Sequence, residues 1–401
     1  MDNSIGKDRF GDKVICNPKV KLNKAETYPL FDIEKIRPGY KTVESYDDIV
    51  YTGQSGAKFQ DHDVLMARIT PCLENGKIAI AKTNGKKGIG STELFVFRGI
   101  DGISDSDYIY YLLCMPHIRQ LAVNSMTGAS GRQRADLDFI KKIQWPFPSL
   151  DIQKKVATIL TQYDAHIELN NKRIKILEQI AENLYKEWFV RFRFPGFDAT
   201  KIENGIPNQW TYITVEKLAE ILQRGISPDY DNEGNSTVIS QKCIRGSIMD
   251  ISEARMQRKP FRMELNIQDC DTVICSTGTG TLGRVGQVYG EYPHTTFDSH
   301  VTLVRAKEGV GKHFLYWTLK NMQPWFMSMG IGSTNQQELY RKTIKNAKVL
   351  LPDESSNLIE KFEGFVEPIH KQICSLRDEN QNLIKQRDLL LPRLMSGKLE
   401  V

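Results

Sequence analysis

The 401-residue chain lacks the sequence patterns of the common nucleotide- and DNA-modifying catalysts. No Gly-Lys-Ser/Thr sequence is present, so a P-loop nucleotide site is excluded. No Asn-Pro-Pro-aromatic or Asp-Pro-Pro-aromatic run is present either, so the catalytic loop of an amino-methyltransferase is absent. The seven histidines show no His-x-x-x-His spacing. We therefore expect a chain without its own catalytic residues or cofactor.

Cysteines and long apolar runs are also scarce. The seven cysteines are scattered and form no Cys-x-x-Cys pair, so neither a metal site nor a disulfide framework is expected. Their odd number fits buried thiols in a reducing cytoplasm. We see no signal peptide and no apolar run long enough to span a membrane. These features predict a cytoplasmic protein without a membrane partner.

No strong charge of either sign dominates the sequence. The net charge is +5 and the pI is about 8.6, which permits nucleic-acid binding without arguing strongly for it. The chain is 40% hydrophobic and 26% charged, as in soluble globular proteins. Its length is sufficient for several domains, each with its own core.

A long helix with a narrow apolar stripe is predicted over residues 152–188. No Pro or Gly interrupts it, and Pro148 lies just before it. Apolar positions recur at steps of three and four, with one additional step of four, which is the pattern of a coiled coil with a stutter. The predicted interface positions of this helix are Ile152, Val156, Ile159, Ile167, Ile174, Leu177 and Leu184.

A second helix near the C-terminus repeats the pattern at an offset of 206 residues, with the stutter in the same place. Its predicted interface positions are Leu358, Phe362, Phe365, Ile369, Ile373, Leu383 and Leu390. A stripe this narrow requires a partner helix, and the nearest candidate for each helix is the other one. An antiparallel pair would act as a spacer about 55 Å long between two globular domains.

The repeat extends into the globular segments, where short matches recur at offsets of 204 to 208 residues. We therefore predict a duplicated α+β chain with an internal pseudo-two-fold repeat. Two mixed domains are joined by two long helices that form an antiparallel coiled coil. The predicted segments are a domain over 1–150, a helix over 151–192, a linker over 193–209, a domain over 210–355, and a helix with a tail over 356–401.

One glycine-rich motif, Gly278-x-Gly280-x-x-Gly283, resembles a dinucleotide-binding fingerprint. The residues that follow read as strand and turn, whereas a Rossmann site requires a helix there. A tight β-turn is therefore favoured. Arg284 and, in the first domain, Lys77 follow these turns, where they could contact phosphate or lie solvated. Lys82, Lys86 and Lys87 are further candidate phosphate contacts.

A second pair of loops occupies matching positions before the two long helices. One contains Arg132, Gln133 and Arg134, and the other contains Ser333, Thr334, Asn335 and Gln336. Asn and Gln can bond adenine edges, Arg can bond guanine, and Ser or Thr can reach phosphate. A polar loop that only caps the following helix is the alternative, and residue chemistry does not separate the two.

Paired carboxylates also recur, as Asp61 and Asp63 in the first domain and as Asp269 and Asp271 in the second. Such a pair could bind a metal ion. Each pair precedes a strand, however, where aspartate commonly forms turns. We therefore favour a turn and expect no metal site.

The whole chain resembles the specificity subunit of type I restriction–modification systems. The resemblance rests on the order domain–helix–domain–helix and on three stretches: WPFPSLDIQ at 145–153, IAENLYKEWFV at 180–190 and DLLLPRLMSGK at 388–398. It implies that each globular domain reads one half of a bipartite site in double-stranded DNA. It also implies that the helix pair sets the spacer and docks two methyltransferase subunits, which bind S-adenosylmethionine. Restriction subunits can join such a complex to form the nuclease.

Two other classes of protein are compatible with the residues alone. One is a single-chain DNA methyltransferase or nuclease with unrecognised motifs, which S-adenosylmethionine binding by the isolated chain would reveal. The other is a scaffold protein without a nucleic-acid role, which a salt-dependent gel shift would distinguish. The target sequence and spacer length are not readable from the residues.

Overall fold

A computed structural model describes residues 8–45, 47–244, 249, 251–278, 280–332 and 337–401. The chain forms two compact units, and each contains one globular domain with a segment of both long helices. The first unit is Met1–Asn171 with Glu379–Val401, and the second is Lys172–Asp378. None of the helices in the described ranges has the length and apolarity of a bilayer-spanning segment.

The described residues of the first globular domain form eleven strands and four short helices. The strands are β1 (Asp8–Arg9), β2 (Val14–Cys16), β3 (Thr27–Phe31), β4 (Thr42–Glu44), β5 (Asp47–Val50), β6 (Ala57–Gln60), β7 (Val64–Ala67), β8 (Ile78–Lys82), β9 (Lys87–Gly90), β10 (Leu94–Gly99) and β11 (Gln144–Trp145). The helices are α1 (Phe10–Lys13), α2 (Ser106–Cys114), α3 (Pro116–Asn124) and α4 (Leu137–Lys142).

The first long helix, α5 (Leu150–Tyr185), continues as a π-helical turn over Lys186–Val190. The described strands that follow are β12 (Ile202–Glu203), β13 (Ile206–Pro207), β14 (Thr211–Thr214), β15 (Ala219–Arg224), β16 (Ser236–Ile239), β17 (Arg255–Gln257), β18 (Thr272–Cys275), β19 (Val285–Gln287), β20 (Thr295–Phe297), β21 (Val301–Ala306) and β22 (Lys348–Leu351). The helices are α6 (Val215–Leu218), α7 (Lys312–Asn321), α8 (Gln323–Ser328), α9 (Arg341–Asn346) and the second long helix, α10 (Leu358–Met395). Short 3₁₀ turns lie at Phe197–Ala199, Gln241–Cys243, Ile251–Glu253, Met263–Leu265 and Glu354–Ser356.

The two globular domains share a strand order, as expected for a duplication. The main sheet of the second domain has the order β15-β21-β18-β19. These four strands correspond in order to β2-β10-β7-β8 of the first domain, whose main sheet adds β4 at the edge. Each domain also has a smaller sheet with one parallel pair, β3 with β9 and β16 with β20. Central strands such as β7 and β18 are buried at every residue, which explains their continuous apolar runs.

A buried ion pair recurs at the same place in both main sheets. Arg98 on β10 contacts Asp63 through its Nε at 2.6 Å, and Arg305 on β21 contacts Asp271 through its Nε at 2.8 Å. Each aspartate also accepts a backbone hydrogen bond from the glutamine three residues before it. These two carboxylates are thus turn residues with an arginine partner, which confirms the predicted turns.

The long helices run antiparallel where they meet inside each unit. In the first unit Val156 and Leu160 share a core with Leu391 and Leu394. In the second unit, Ile174 packs with Ile373 and Leu376. Another core there joins Tyr185 and Trp188 to Phe362. Residue numbers thus rise along one helix as they fall along the other, so the apolar stripes face each other within each unit.

Two of the predicted interface positions lie outside these buried stripes. Ile152 is 42% exposed and Phe365 is 60% exposed. Their neighbours Gln153 and Val366 are buried instead. The assignment of Ile152 was wrong because the first long helix packs on its globular domain there, and Gln153 accepts a hydrogen bond from the Asp105 amide. Phe365 is exposed but still contacts the first long helix, since its ring centroid lies 5.8 Å from that of Trp188.

Candidate nucleic-acid interface

The glycine-rich motif of the second domain forms the turn of a β-hairpin. Strand β18 ends before it and β19 begins after it, and the two strands pair antiparallel. Gly278, Gly280 and Gly283 all have positive φ angles, of 102°, 75° and 74°. A hairpin rather than a helix follows the strand, so the predicted tight turn is confirmed and a dinucleotide site is excluded. The hairpin β7–β8 is its counterpart in the first domain.

Backbone pairing joins each polar loop to the hairpin turn of its own domain. In the first domain Arg134 bridges both Thr127 and Ile69, and the Thr70 amide donates to the Gln133 carbonyl at 3.0 Å. In the second domain, Glu338 takes the place of Arg134.

Glu338 makes the corresponding bridges in the second domain, to Ile331 and Thr277. The neighbouring Leu339 amide donates to the Ser276 carbonyl at 2.8 Å. The residues that flank the polar loop of the second domain are therefore held to the hairpin turn by the same backbone arrangement as in the first domain.

The side chains on the two surfaces differ in charge at this equivalent position. Arg134 donates from Nη2 to Oε1 of Glu93 at 2.6 Å, and its side chain is 45% exposed. These hydrogen bonds lower the pKa of Glu93 despite partial burial of the carboxylate. In the second domain, Glu338 contacts Nη1 of Arg224 at 2.7 Å. The same scaffold thus presents an arginine in one domain and a glutamate in the other.

The other described residues of the first polar loop, Arg132 and Gln133, are at least partly accessible to solvent. Arg132 is exposed, and Gln133 is half-buried with its carbonyl engaged by the Thr70 amide. The second-domain residues Ser333, Thr334, Asn335 and Gln336 lie outside the described residues.

The five candidate phosphate contacts do not form one cluster. Lys77 directly precedes β8, and its Nζ donates to the Ile33 carbonyl at 2.9 Å. Arg284 lies after the glycine turn and is half-buried. Lys82 ends β8, about 16 Å further along the strand. It pairs with Glu44 at 2.5 Å.

The last two candidates lie beyond that same end of β8. Lys86 is exposed, and Nζ of Lys87 donates to the Lys21 carbonyl at 3.0 Å. Lys77 therefore lies at the hairpin-turn end of β8, and the other three lysines of the first domain lie at or beyond its opposite end.

Two clefts in the first domain contain basic residues that sequence reasoning missed. One, of about 430 Å³, is lined by Arg68, Thr127 and Arg134 among others. Its neighbour, of about 570 Å³, shares Arg68 and adds Lys19, Lys21 and Lys58. Arg68 lies over the Phe95 ring at 4.8 Å, which holds its guanidinium beside the polar loop. No sequence motif marks these residues, because strand pairing brings them together.

Comparison with known proteins gives a consistent family. Residues 13–179 match the family model described as the type I restriction modification DNA specificity domain. The chain is 26% identical over 344 residues to the type I restriction enzyme MjaIX specificity subunit of Methanocaldococcus jannaschii, with 81% of this chain and 76% of that protein covered. It is 23% identical to the HindI specificity subunit of Haemophilus influenzae, with 86% and 88% covered.

A solved structure supports the same fold. The S subunit of a type I restriction–modification system from M. genitalium matches with a TM-score of 0.54 at 16% identity, covering 98% of this chain and 97% of that one. The predicted resemblance to type I specificity subunits is confirmed by these matches. The relatives are named as specificity subunits, so the prediction of a DNA-recognition subunit rather than a catalytic chain is also confirmed.

Proposed function

We propose that this chain reads a bipartite site in double-stranded DNA for a type I restriction–modification complex, with each globular domain contacting one half-site. The observation that carries this proposal is the duplicated loop surface. Arg134 and Glu338 occupy equivalent backbone positions, and each loop is tied to a hairpin turn. A repeated scaffold with different side chains suits two half-sites of different sequence.

The chemistry of the first surface fits a DNA duplex. Arg132 and Arg134 can donate to guanine O6 and N7 or to phosphate, and Gln133 can bond adenine. Arg68 and the lysines of the adjoining cleft line a path for the phosphate backbone. Backbone contacts of this kind position a protein on DNA, whereas base contacts give it sequence specificity.

The helix pair would set the unread spacer between the half-sites. Antiparallel packing within each unit links every globular domain to both helices. In this proposal the two reading surfaces meet the same face of the duplex, so their separation would be near one helical turn, about 34–36 Å. The antiparallel coiled coil would thus fix the distance between the two half-sites.

Two methyltransferase subunits would dock on the long helices, and S-adenosylmethionine would be bound by them rather than by this chain. Several apolar side chains project from the helices into solvent: Leu169, Ile176, Ile180, Phe365 and Leu389 are between 49% and 71% exposed. Exposed apolar residues on otherwise polar helices are typical of protein interfaces. Restriction subunits would join the complex where the host encodes them.

The proposal is tested by mapping methylated adenines in host DNA with and without this gene. We expect a two-part motif whose methylation disappears when the gene is deleted and returns with a plasmid copy. Methylation unaltered by deletion would contradict the proposal. S-adenosylmethionine binding by the isolated chain would instead favour a single-chain methyltransferase, and a salt-independent failure of the assembled complex to shift DNA would favour a scaffold.

A further inference from the structure

Three buried side chains with metal-binding atoms converge in the second unit, away from the proposed DNA surface. Cys270 lies in the turn before β18, His313 lies in the first turn of α7, and His370 lies on α10. Their exposed fractions are 6%, 1% and 3%. One potential ligand atom from each lies within 4.8 Å of the other two.

Two of these atoms already have the spacing of a metal site, and a carboxylate oxygen lies at hydrogen-bond distance from one of them. Sγ of Cys270 is 3.4 Å from Nε2 of His370, and Nε2 is 2.9 Å from Oδ1 of Asp269. In a tetrahedral zinc site with bonds of about 2.0 to 2.3 Å, neighbouring ligand atoms lie about 3.3 to 3.8 Å apart. Thiolate, imidazole and carboxylate are the ligands that such a site uses.

Surrounding residues hold the two imidazoles in place. His370 stacks on Tyr289 with ring centroids 4.5 Å apart, and one ring nitrogen of His313 lies 2.9 Å from Glu367. A carboxylate that orients a histidine in this way is a common second layer of metal sites.

The first domain provides a contrast at the same positions. Asp107 and Asp164 stand where the second domain has His313 and His370, at an offset of 206 residues. Lys41 contacts Asp107 at 2.5 Å, and Arg387 contacts Asp164 at 2.5 Å. Basic side chains therefore supply positive charge there.

Neutral or softer groups occupy the matching positions of the second domain. At an offset of 208 residues, Met249 stands in the place of Lys41, and Cys270 stands in the place of His62. His62 is exposed, whereas Cys270 is buried. The second domain thus has ligand atoms where the first domain has ion pairs.

We propose that Cys270, His313 and His370 bind one divalent transition-metal ion of the Zn²⁺ class. The ion would fasten the base of the second globular domain to α10, because its ligands come from both. Binding would release the thiol proton of Cys270. The sequence did not predict this site, since the ligands are 43 and 57 residues apart along the chain and match no spacing motif.

The test uses the full-length chain without an affinity tag, stripped with a chelator and titrated with Co²⁺ and then Zn²⁺. We expect one equivalent of Co²⁺ to produce the visible absorption of a tetrahedral site with a thiolate-to-metal charge-transfer band. Zn²⁺ should displace it and raise the melting temperature. Cys270→Ser and His370→Gln should each abolish the bands, whereas Cys16→Ser, a control in the first domain, should retain them.

Three outcomes would overturn the proposal. One is the absence of stoichiometric metal binding, which would leave a hydrogen-bonded network only. Another is tetrahedral Co²⁺ spectra that persist in both ligand variants. If a variant does not fold, X-ray absorption of the zinc-loaded wild-type chain decides the matter, since the site requires one sulfur neighbour at about 2.3 Å and nitrogen or oxygen at the other positions. A sulfur-free shell would contradict it.

Discussion

Asn170 donates from Nδ2 to Oδ1 of Asn380 at 3.1 Å, between the two long helices of the first unit. The two residues are 3% and 7% exposed. Both occupy stripe positions that are otherwise largely apolar. Nδ2 of Asn380 in turn donates to Oδ1 of Asn171 at 3.0 Å. A buried asparagine in a coiled coil selects the register in which it finds a partner, at some cost in stability.

The double substitution at this contact should cost less stability than the single one. Asn170→Leu leaves the Asn380 oxygen buried without this partner and should lower the free energy of unfolding by about 1–3 kcal/mol. The double variant with Asn380→Leu should recover most of that loss, because both polar groups are gone. Denaturant unfolding of the isolated chain checks this. Additive losses in the double variant would show that the two asparagines do not interact.

The polar loop of the first domain should determine one half-site only. Arg132→Ala, Gln133→Ala or Arg134→Ala should cost about 1–3 kcal/mol in DNA affinity at a base-reading position and relax that half-site. Arg193→Ala, which removes an exposed arginine from the linker, serves as the control. Affinity and methylated motif are measured on the assembled complex. If all three variants match the wild type, the loop is structural.

Glu93 should orient the Arg134 side chain for its contact with DNA. Glu93→Gln removes the charge that holds Arg134 at 2.6 Å while leaving an acceptor of the same shape. If Arg134 reads a base from this fixed position, the variant should relax the same half-site as Arg134→Ala, with a smaller loss of affinity. A double variant that loses no more than Arg134→Ala alone would show that the two residues act together, and fully additive losses would contradict this.

Salt dependence separates phosphate contacts from base contacts. Lys77→Gln with Arg284→Gln should weaken binding to all sequences alike and flatten the salt slope by about one unit for each lost contact. Substitution of Lys82, Lys86 and Lys87 by glutamine then tests whether DNA also contacts the opposite end of β8. Filter binding over a range of salt concentrations gives the slopes. An unchanged slope after all five are neutralised would contradict the prediction.

The exposed apolar side chains of the long helices should carry the methyltransferase interface. Ile176→Glu or Leu389→Glu should reduce co-purification of methyltransferase subunits without lowering the melting temperature of the isolated chain, because the two side chains are 61% and 71% exposed. Glu360→Gln, on the second long helix, is the control. Full assembly with both glutamate variants would place the interface elsewhere.

Sequence periodicity predicted the helices well because a coiled-coil stripe is a local signal. The predicted 152–188 segment corresponds to α5 and its π-helical extension. The same reasoning misplaced Ile152, since the pattern does not show where a helix packs on its own globular domain rather than on its partner helix. The parallel pairing of β3 with β9 joins segments about 60 residues apart, which no local pattern encodes.

The candidate DNA surface was predictable only in part. Residue chemistry identified Arg134, but its ion pair with Glu93 depends on β10 and the loop meeting in space. Arg68 was missed because a lone arginine after a strand carries no signal of its own. The sequence shows which residues are basic, whereas the cleft that they form depends on strand pairing between distant segments.

The central claim is that the helix pair sets the spacer between the half-sites, and the most direct test is to lengthen both long helices. One heptad is inserted into each long helix, after Asn171 and before Glu379, so that the new segments face each other and both compact units remain intact. Seven residues keep the apolar stripe in phase and add about 10.5 Å. A seven-residue insertion in the exposed turn between β12 and β13 is the control. The readout is the methylated-adenine motif of cells that express each complex.

The proposed mechanism predicts that the heptad variant keeps both half-site sequences and lengthens the spacer by up to about three base pairs, at about 3.4 Å per step. Affinity can fall as well, because the duplex must twist to present both half-sites on one face. The control should keep the original spacer. An assembled, active heptad variant that methylates the original site with its original spacer would show that the helices do not set the distance between the half-sites.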